Sequence, residues 1–253
     1  MLPKERIYRI MELIQKKGFV TVMELMSELK TSRSSIMRDL IQLEKENLIQ
    51  REHGGASKKE TMKLLTPFHE STVLDKRNKN VEIKEKLCLK ASEFIEDGQC
   101  IFIDAGTTTM HLLPYIQHKK ITIVTSSIYL IRNLPENFSG NVFILGGQFN
   151  SKHDMALGTM TLEFLNQFNF DYAFLSTGGI DLKQGEVYIS DYEVGTIKRN
   201  VIQRSQKTCL LVDDSKFVIK GQSSWGKLNQ FDTIICNNLP TNYKKLKQFM
   251  IVN

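Results

Sequence analysis

The residues best placed to do chemistry lie in one run, Ile103-Asp104-Ala105-Gly106-Thr107-Thr108-Thr109. Gly106 lets a ligand approach the backbone, and Thr107, Thr108 and Thr109 offer hydroxyls. The start of a following helix would add free N–H groups and a positive dipole end. That combination suits a phosphate; a capped helix start with no ligand is the plainer alternative. The run has neither the Gly-Lys-Ser/Thr of a P-loop nor the Gly-x-Gly-x-x-Gly of a dinucleotide turn. Further small or glycine-rich runs accompany it: Thr125-Ser126-Ser127, Gly146-Gly147 and Ser176-Thr177-Gly178-Gly179-Ile180-Asp181. Lys198 and Lys216 could neutralise a phosphate, although a single lysine ordinarily faces solvent. Asp104, Asp181 and Lys198 also include the parts of a sugar-phosphate isomerase, a base for the C2 proton and a cation for the enediolate.

A second constellation lies near the N-terminus, between Thr31 and Ala56. Ser32 is a suitable N-cap, and Ile36, Leu40 and Leu43 recur on one helical face. The other face then presents Arg33, Ser34, Ser35, Met37 and Arg38 near the helix start, where a reading helix meets base edges in the major groove. Leu48-Ile49-Gln50-Arg51 reads as a short strand and His53-Gly54-Gly55 as a flexible, basic tip, so Arg51 and His53 would reach DNA through a wing. Upstream, Ile7, Ile10, Met11 and Ile14 mark one helix ended by Gly18, and Val22, Leu25, Met26 and Leu29 mark another capped near Thr21. Helix, helix, turn, helix, strand and tip make a winged helix-turn-helix, and the expected partner is a double-stranded DNA operator.

The elements that would hold the first constellation follow residue 80. Candidate strands are Cys100–Ile103, 121–124, 142–145, 172–175, 209–212 and Thr233–Cys236, alternating with helices such as 109–117, 159–167 and 191–205. Short apolar strands alternating with helices predict a mainly parallel α/β domain. Strand ends in such sheets are where ligands bind, and five polar loops would share one edge. The expected domains are therefore residues 1–57 for DNA, 58–79 as a polar linker with Pro67, and 80–253 for a ligand. A helix over 81–95 carries Val81, Lys84, Leu87, Cys88 and Ala91 on one side.

A chain of 253 residues with 41 % hydrophobic and 25 % charged residues is ordinary for a globular protein. No apolar run reaches the ~18 residues of a membrane span, and no signal-peptide pattern opens the chain, so a cytoplasmic location is expected. The net charge of +6 suits nucleic acid. Residues 1–60 hold 12 Lys/Arg against 9 Asp/Glu, and the remainder 22 against 19, so the excess is denser in the first quarter without being extreme. Cys88, Cys100, Cys209 and Cys236 stand apart among apolar residues, which predicts buried free thiols; nothing calls for a metal or a cofactor.

Residues 1–56 resemble the N-terminal domain of the DeoR family of bacterial transcriptional regulators. The resemblance rests on Ile36-Met37-Arg38-Asp39-Leu40, Leu43-Glu44 and His53-Gly54-Gly55-Ala56, with Met37 in place of an arginine of the family pattern. It extends through Asp104 to Thr109, Val124-Thr125, Gly146-Gly147, Gly179-Ile180-Asp181, Lys198-Arg199 and Asp214-Ser215-Lys216-Phe217. It implies a sensor domain similar to ribose-5-phosphate isomerase and CoA-transferase-like folds. It also implies a phosphorylated sugar or related metabolite as effector, and a homo-oligomer. The effector residues would be Asp104, Gly106, Thr107, Thr108, Thr109, Ser126, Gly147, Gly178, Asp181, Lys198 and Lys216. Two positions depart from the family: Ser126 stands where an asparagine is usual, and Val194 where a glutamate precedes Lys198 by one helical turn. A DNA-reading head has no task in a metabolic enzyme, so a regulator, in the sense of a repressor, ranks above an isomerase.

Overall fold

The computed structural model of the chain describes residues 3–46, 48–52, 54–58, 63–65, 72–240, 243 and 246–252; His53 lies outside them. The chain divides into two compact units, Met1–Thr61 and Met62–Asn253.

The first unit runs α1 (Pro3–Lys17), β1 (Phe19–Thr21), α2 (Val22–Leu29), α3 (Arg33–Lys45), β2 (Ile49–Glu52) and β3 (Gly55–Lys58). Each helix starts where its cap lies. Thr21 and Glu24 form a reciprocal capping box on α2, and Ser32 Oγ accepts from Ser35 N at the head of α3. Such a cap is worth about 1 kcal/mol. Ile10, Ile14, Leu25, Ile36, Leu40, Leu43 and Ile49 are fully buried together, as their spacing requires. β1, β3 and β2 form an antiparallel sheet. Gly54 turns the β2–β3 hairpin at φ +85°, in the left-handed region where glycine carries no steric penalty.

The second unit opens with β4 (Lys63–Leu65), α4 (Val73–Arg77), α5 (Val81–Ser92) and β5 (Cys100–Ile103). A 3₁₀ turn (Thr109–Leu112), α6 (Leu113–Ile116), β6 (Thr122–Thr125), α7 (Ile128–Arg132) and β7 (Asn141–Ile144) follow. Next come β8 (Gln148–Asn150), β9 (Met155–Leu157), α8 (Thr159–Leu165), β10 (Phe170–Ser176), β11 (Gly179–Asp181) and β12 (Glu186–Ile189). The chain continues with α9 (Tyr192–Gln203), β13 (Ser205–Val212), β14 (Ile219–Gly221), β15 (Ser223–Lys227), β16 (Thr233–Cys236) and β17 (Phe249–Ile251).

The central sheet has the order β17-β16-β13-β10-β5-β6-β7, and every neighbouring pair is parallel. Alternation along each strand feeds two cores. Phe102, Val124, Leu175 and Leu210 pack with Leu165, Val194, Ile197 and Val201 on one face. Ile101, Ile103, Ile123, Phe174 and Leu211 pack with Leu87, Cys88 and Ala91 of α5 on the other. Both faces of the inner strands are covered, which is why they read as unbroken apolar runs, whereas Phe143 and Ile144 of the edge strand β7 are exposed.

Three features differ from the sequence reading. The helix expected over 109–117 is a 3₁₀ turn followed by the four-residue α6. Thr109 Oγ1 donates back to Asp104 O at 2.8 Å and Gly106 O at 2.9 Å, and Pro114 has no amide to continue a ladder. A seventh strand, β17, closes the sheet edge; its three residues follow a lysine-rich stretch that hides any alternation. The residues expected as a linker hold two elements of the second unit. β4 pairs with β14, and α4 carries its own Thr72–Asp75 capping box. The cysteines are free, with Cys88, Cys209 and Cys236 buried, and burial pushes the Cys236 thiol up to about 11.

Candidate functional site

From β5 the sheet winds one way through β6 to β7, and from β10 the other way through β13 to β17. β5 and β10 are neighbours at that reversal, and the carboxyl ends of such strands open a crevice. Asp104 leaves β5 there and Ser176 ends β10. Asp104 is 3 % exposed. Its Oδ2 accepts hydrogen bonds from Ser176 N at 3.0 Å, Ser176 Oγ at 2.6 Å and Lys198 Nζ, and Lys198 Nζ also donates to Ser176 O at 2.9 Å. The ammonium lies 5.2 Å from the centre of the Trp225 ring, against its negative face. α9 delivers Lys198 from a start capped by Asp191, whose Oδ1 accepts from Glu193 N at 2.9 Å. The His153 imidazole, 3.4 Å from Asp191 Oδ2, holds that carboxyl below its ordinary range. Gly106 is required by close approach: a Cβ there would lie 2.1 Å from Ser176 Oγ and displace it from Asp104.

On the other side, Lys84 of α5 donates to Thr107 Oγ1 at 3.1 Å and to Lys76 O at 2.7 Å. It is 4 % exposed, and burial pushes its ammonium down to about 8 against the opposing pull of Asp213. Asp213 Oδ1 accepts from Asn80 Nδ2 at 3.1 Å, Ser215 N at 3.1 Å and Ser215 Oγ. These groups enclose a cavity of about 500 Å³ lined by five lysines, Lys76, Lys79, Lys84, Lys198 and Lys216, against two aspartates, Asp104 and Asp213. Five ammonium groups against two carboxylates leave the lining with a formal excess of positive charge. An anion with oxygen acceptors, above all a phosphate, is what such a wall can hold.

Of the effector residues expected from sequence, Asp104, Gly106, Thr107, Thr108, Gly178, Lys198 and Lys216 line this cavity. Four do not. Thr109 is fully buried and ties the loop to itself. Ser126 is fully buried beside β9, where its carbonyl accepts from Ala156 N at 2.8 Å. Gly147 packs where a Cβ would lie 2.1 Å from Thr161 Oγ1, a matter of fit rather than ligand access. Asp181 caps a turn through Lys183 N and Gln184 N, both at 2.9 Å. The cavity is also not built on a helix start, because the helical stretch after Thr108 is too short to present one; its positive charge comes from lysines. An isomerase site built on Asp104 and Asp181 would need both facing one substrate, but Asp181 does not line the cavity and both carboxylates accept protein donors.

Sequence reasoning missed Lys76, Lys79, Asn80, Lys84 and His153 as cavity residues. Lys84 carried a signal, a lysine on the apolar side of α5. The others sit in polar stretches with none.

In the first unit, Arg33, Ser34 and Arg38 are exposed along the start of α3, and Ser35 is half-buried. Met37 is half-buried against the unit's own core. Asp39 is 5 % exposed and takes a forked pair from Arg6 of α1, with Nη2 3.1 Å from Oδ1 and Nε on Oδ2. Arg51 Nε donates to Glu44 Oε2 at 2.6 Å and Arg51 N to Glu44 Oε1 at 3.2 Å, so Arg51 ties β2 to α3 instead of extending from the wing.

Residues 6–61 match the DeoR-like helix-turn-helix domain, and residues 79–238 match the DeoR C terminal sensor domain. Over 243 residues the chain is 32 % identical to the glycerol-3-phosphate regulon repressor of Escherichia coli (strain K12), covering 95 % of this chain and 93 % of that protein. It is 33 % identical over 218 residues to the uncharacterized HTH-type transcriptional regulator FruR of Bacillus subtilis (strain 168), covering 86 % and 84 %. Among solved structures it is similar to ribose 5-phosphate isomerase A from Methanocaldococcus jannaschii, with a TM-score of 0.41 and 14 % identity over 56 % of this chain and 55 % of that one. With both domains matched in order and a relative above 30 % identity along nearly its full length, the chain belongs to the DeoR family of transcriptional regulators.

Proposed function

We propose that this regulator represses genes of sugar or carbohydrate metabolism, and that a phosphorylated sugar bound in the crevice loosens its hold on the operator. Residues 1–57 would serve as the DNA-binding domain, 58–79 as the linker and 80–253 as the sensor. Arg33, Ser34, Ser35 and Arg38 would read the major groove, and the wing around Gly54 would follow the backbone. Arg51 would act by fixing the wing to α3. A single reading helix covers one half-site, so a homo-oligomer, a dimer or tetramer, is the working form. Phosphorylated sugars and the operator meet in the cytoplasm, where we place the protein.

The observation that carries the effector reading is the lysine excess around a cavity whose two aspartates are both occupied by protein donors. A ligand that binds the folded sensor raises its melting temperature by mass action. Glycerol 3-phosphate, ribose 5-phosphate, fructose 1-phosphate and glucose 6-phosphate form the test panel, each beside its unphosphorylated counterpart. At least one phosphorylated member is expected to stabilise the protein while its counterpart does not. Equal, negligible shifts for every pair would refute the effector reading.

A further inference from the structure

Strand ends build most of the crevice, but one wall comes from the segment through which the chain passes from the first unit to the sheet. Val73, Lys76, Lys79 and Asn80 all line the cavity. Among the described side chains of residues 72–80, apolar anchorage is slight: Val73 is buried, while Leu74 is 61 % exposed and Lys79 and Asn80 are exposed. Polar contacts hold it instead. Val73 N donates to Lys152 O at 3.2 Å, and Lys84 Nζ donates to Lys76 O at 2.7 Å. Earlier in the same segment, Lys63 pairs with Ile219 in the β4–β14 ladder, and Ile219 is itself a cavity residue. Among its described residues the segment is thus fastened at Val73, at Lys76 and along β4.

Lys84 connects these facts. Its ammonium has three N–H donors, of which two are committed to Lys76 O and Thr107 Oγ1. An anion entering the cavity competes for that ammonium and meets the charges of Lys76 on α4 and of Lys79 just beyond its end. We infer that α4 is the moving wall of the effector site: the anionic group of the effector binds Lys76, Lys79 and Lys84, redocks α4, and so alters the segment that leads to the DNA-reading unit. The inference rests on the sensor reading above and adds the residues that transmit it. A ligand shifts a conformational equilibrium only through contacts that differ between the two states, and α4 supplies such contacts.

The test uses the full chain, a labelled operator fragment and the same sugar-phosphate panel. Thermal shift reads binding, and fluorescence anisotropy on the operator reads transmission. With wild-type protein, the stabilising compound should lower operator affinity by about tenfold, an ordinary allosteric coupling. K76Q/K79Q should still be stabilised, at higher concentration, because Lys198 and Lys216 remain; at saturation its operator affinity should change by less than about twofold. K76R/K79R, which keeps both charges, should respond like wild type. A K76Q/K79Q protein that releases the operator as fully as wild type overturns the inference. So does one that is no longer stabilised at any concentration, because Lys198 and Lys216 then hold no part of the effector and α4 is the whole site rather than its moving wall. If no panel compound stabilises even the wild type, the sensor reading fails first, and that failure is visible before any variant is made.

Discussion

Lys84 and Lys198 are both buried ammonium groups of the cavity wall, held in opposite ways. Lys198 has the Asp104 carboxylate against it, whereas Lys84 bonds to two neutral oxygens and is depressed by burial to about 8 from an ordinary 10.5. Between those values the unfolded chain binds more protons than the folded one at this residue. The Lys84 contribution to stability therefore rises as pH increases through that window. A bound phosphate would favour the charged ammonium, so binding near pH 8 should take up protons. Calorimetry in buffers of different ionisation enthalpy should give buffer-dependent heats for the wild type, and buffer-independent heats for Lys84→Met. Buffer-independent heats in the wild type would contradict the placement of the anion at Lys84. For the other lysine, Lys198→Met strands a buried carboxylate and should destabilise the second unit by about 3–5 kcal/mol in denaturant titrations; a loss below about 1 kcal/mol is the surface-pair value and would contradict a dry, paired site. Val194 lines the same cavity one turn before Lys198, so the wall beside that lysine is apolar.

Among the elements, α3 bears the most direct consequence. Its buried face is fixed by Ile36, Leu40 and Leu43, and its orientation by the Arg6–Asp39 fork, leaving Arg33, Ser34 and Arg38 outward. Arg38→Ala should abolish specific operator binding with the second unit's melting temperature unchanged. Retention of operator affinity in a filter-binding assay would remove α3 from the reading role. These elements were legible because periodicity and caps are local: Thr21, Ser32 and the apolar spacing of α1 to α3 place the helices, and six of the seven sheet strands stand out as apolar runs. What was not legible depended on distant partners. Asp39 reads as one more polar residue of a DNA-facing run, and only Arg6, 33 positions earlier, turns it into a buried strut. Met37 reads as a groove contact, but the core beneath claims it. Thr109 reads as a ligand-facing hydroxyl, but the loop needs that hydroxyl for two of its own carbonyls. Lys76 and Lys79 belong to the cavity because α4 is held at Lys152 and Lys84 and β4 pairs with β14, which no local pattern announces.

At the scale of the molecule, two units with separate cores are joined by a segment whose second half is a wall of the ligand cavity. On the proposed reading, that arrangement would let a small anion act on the DNA-binding unit through the connecting chain without requiring the sheet to deform. The seven-stranded scaffold would stay rigid while α4 shifts, and the effector's differential affinity for the two positions of α4 sets how far the operator equilibrium moves. The central claim is that occupancy of the lysine-lined cavity by a phosphorylated sugar weakens DNA binding. It is tested most directly by the affinity of the full chain for an operator selected from a random DNA library, measured at constant salt with and without each member of the sugar-phosphate panel. The account predicts that at least one phosphorylated sugar lowers the affinity by about tenfold and that its unphosphorylated counterpart leaves it unchanged. An operator affinity indifferent to every phosphorylated member, at concentrations that saturate the sensor, would contradict it.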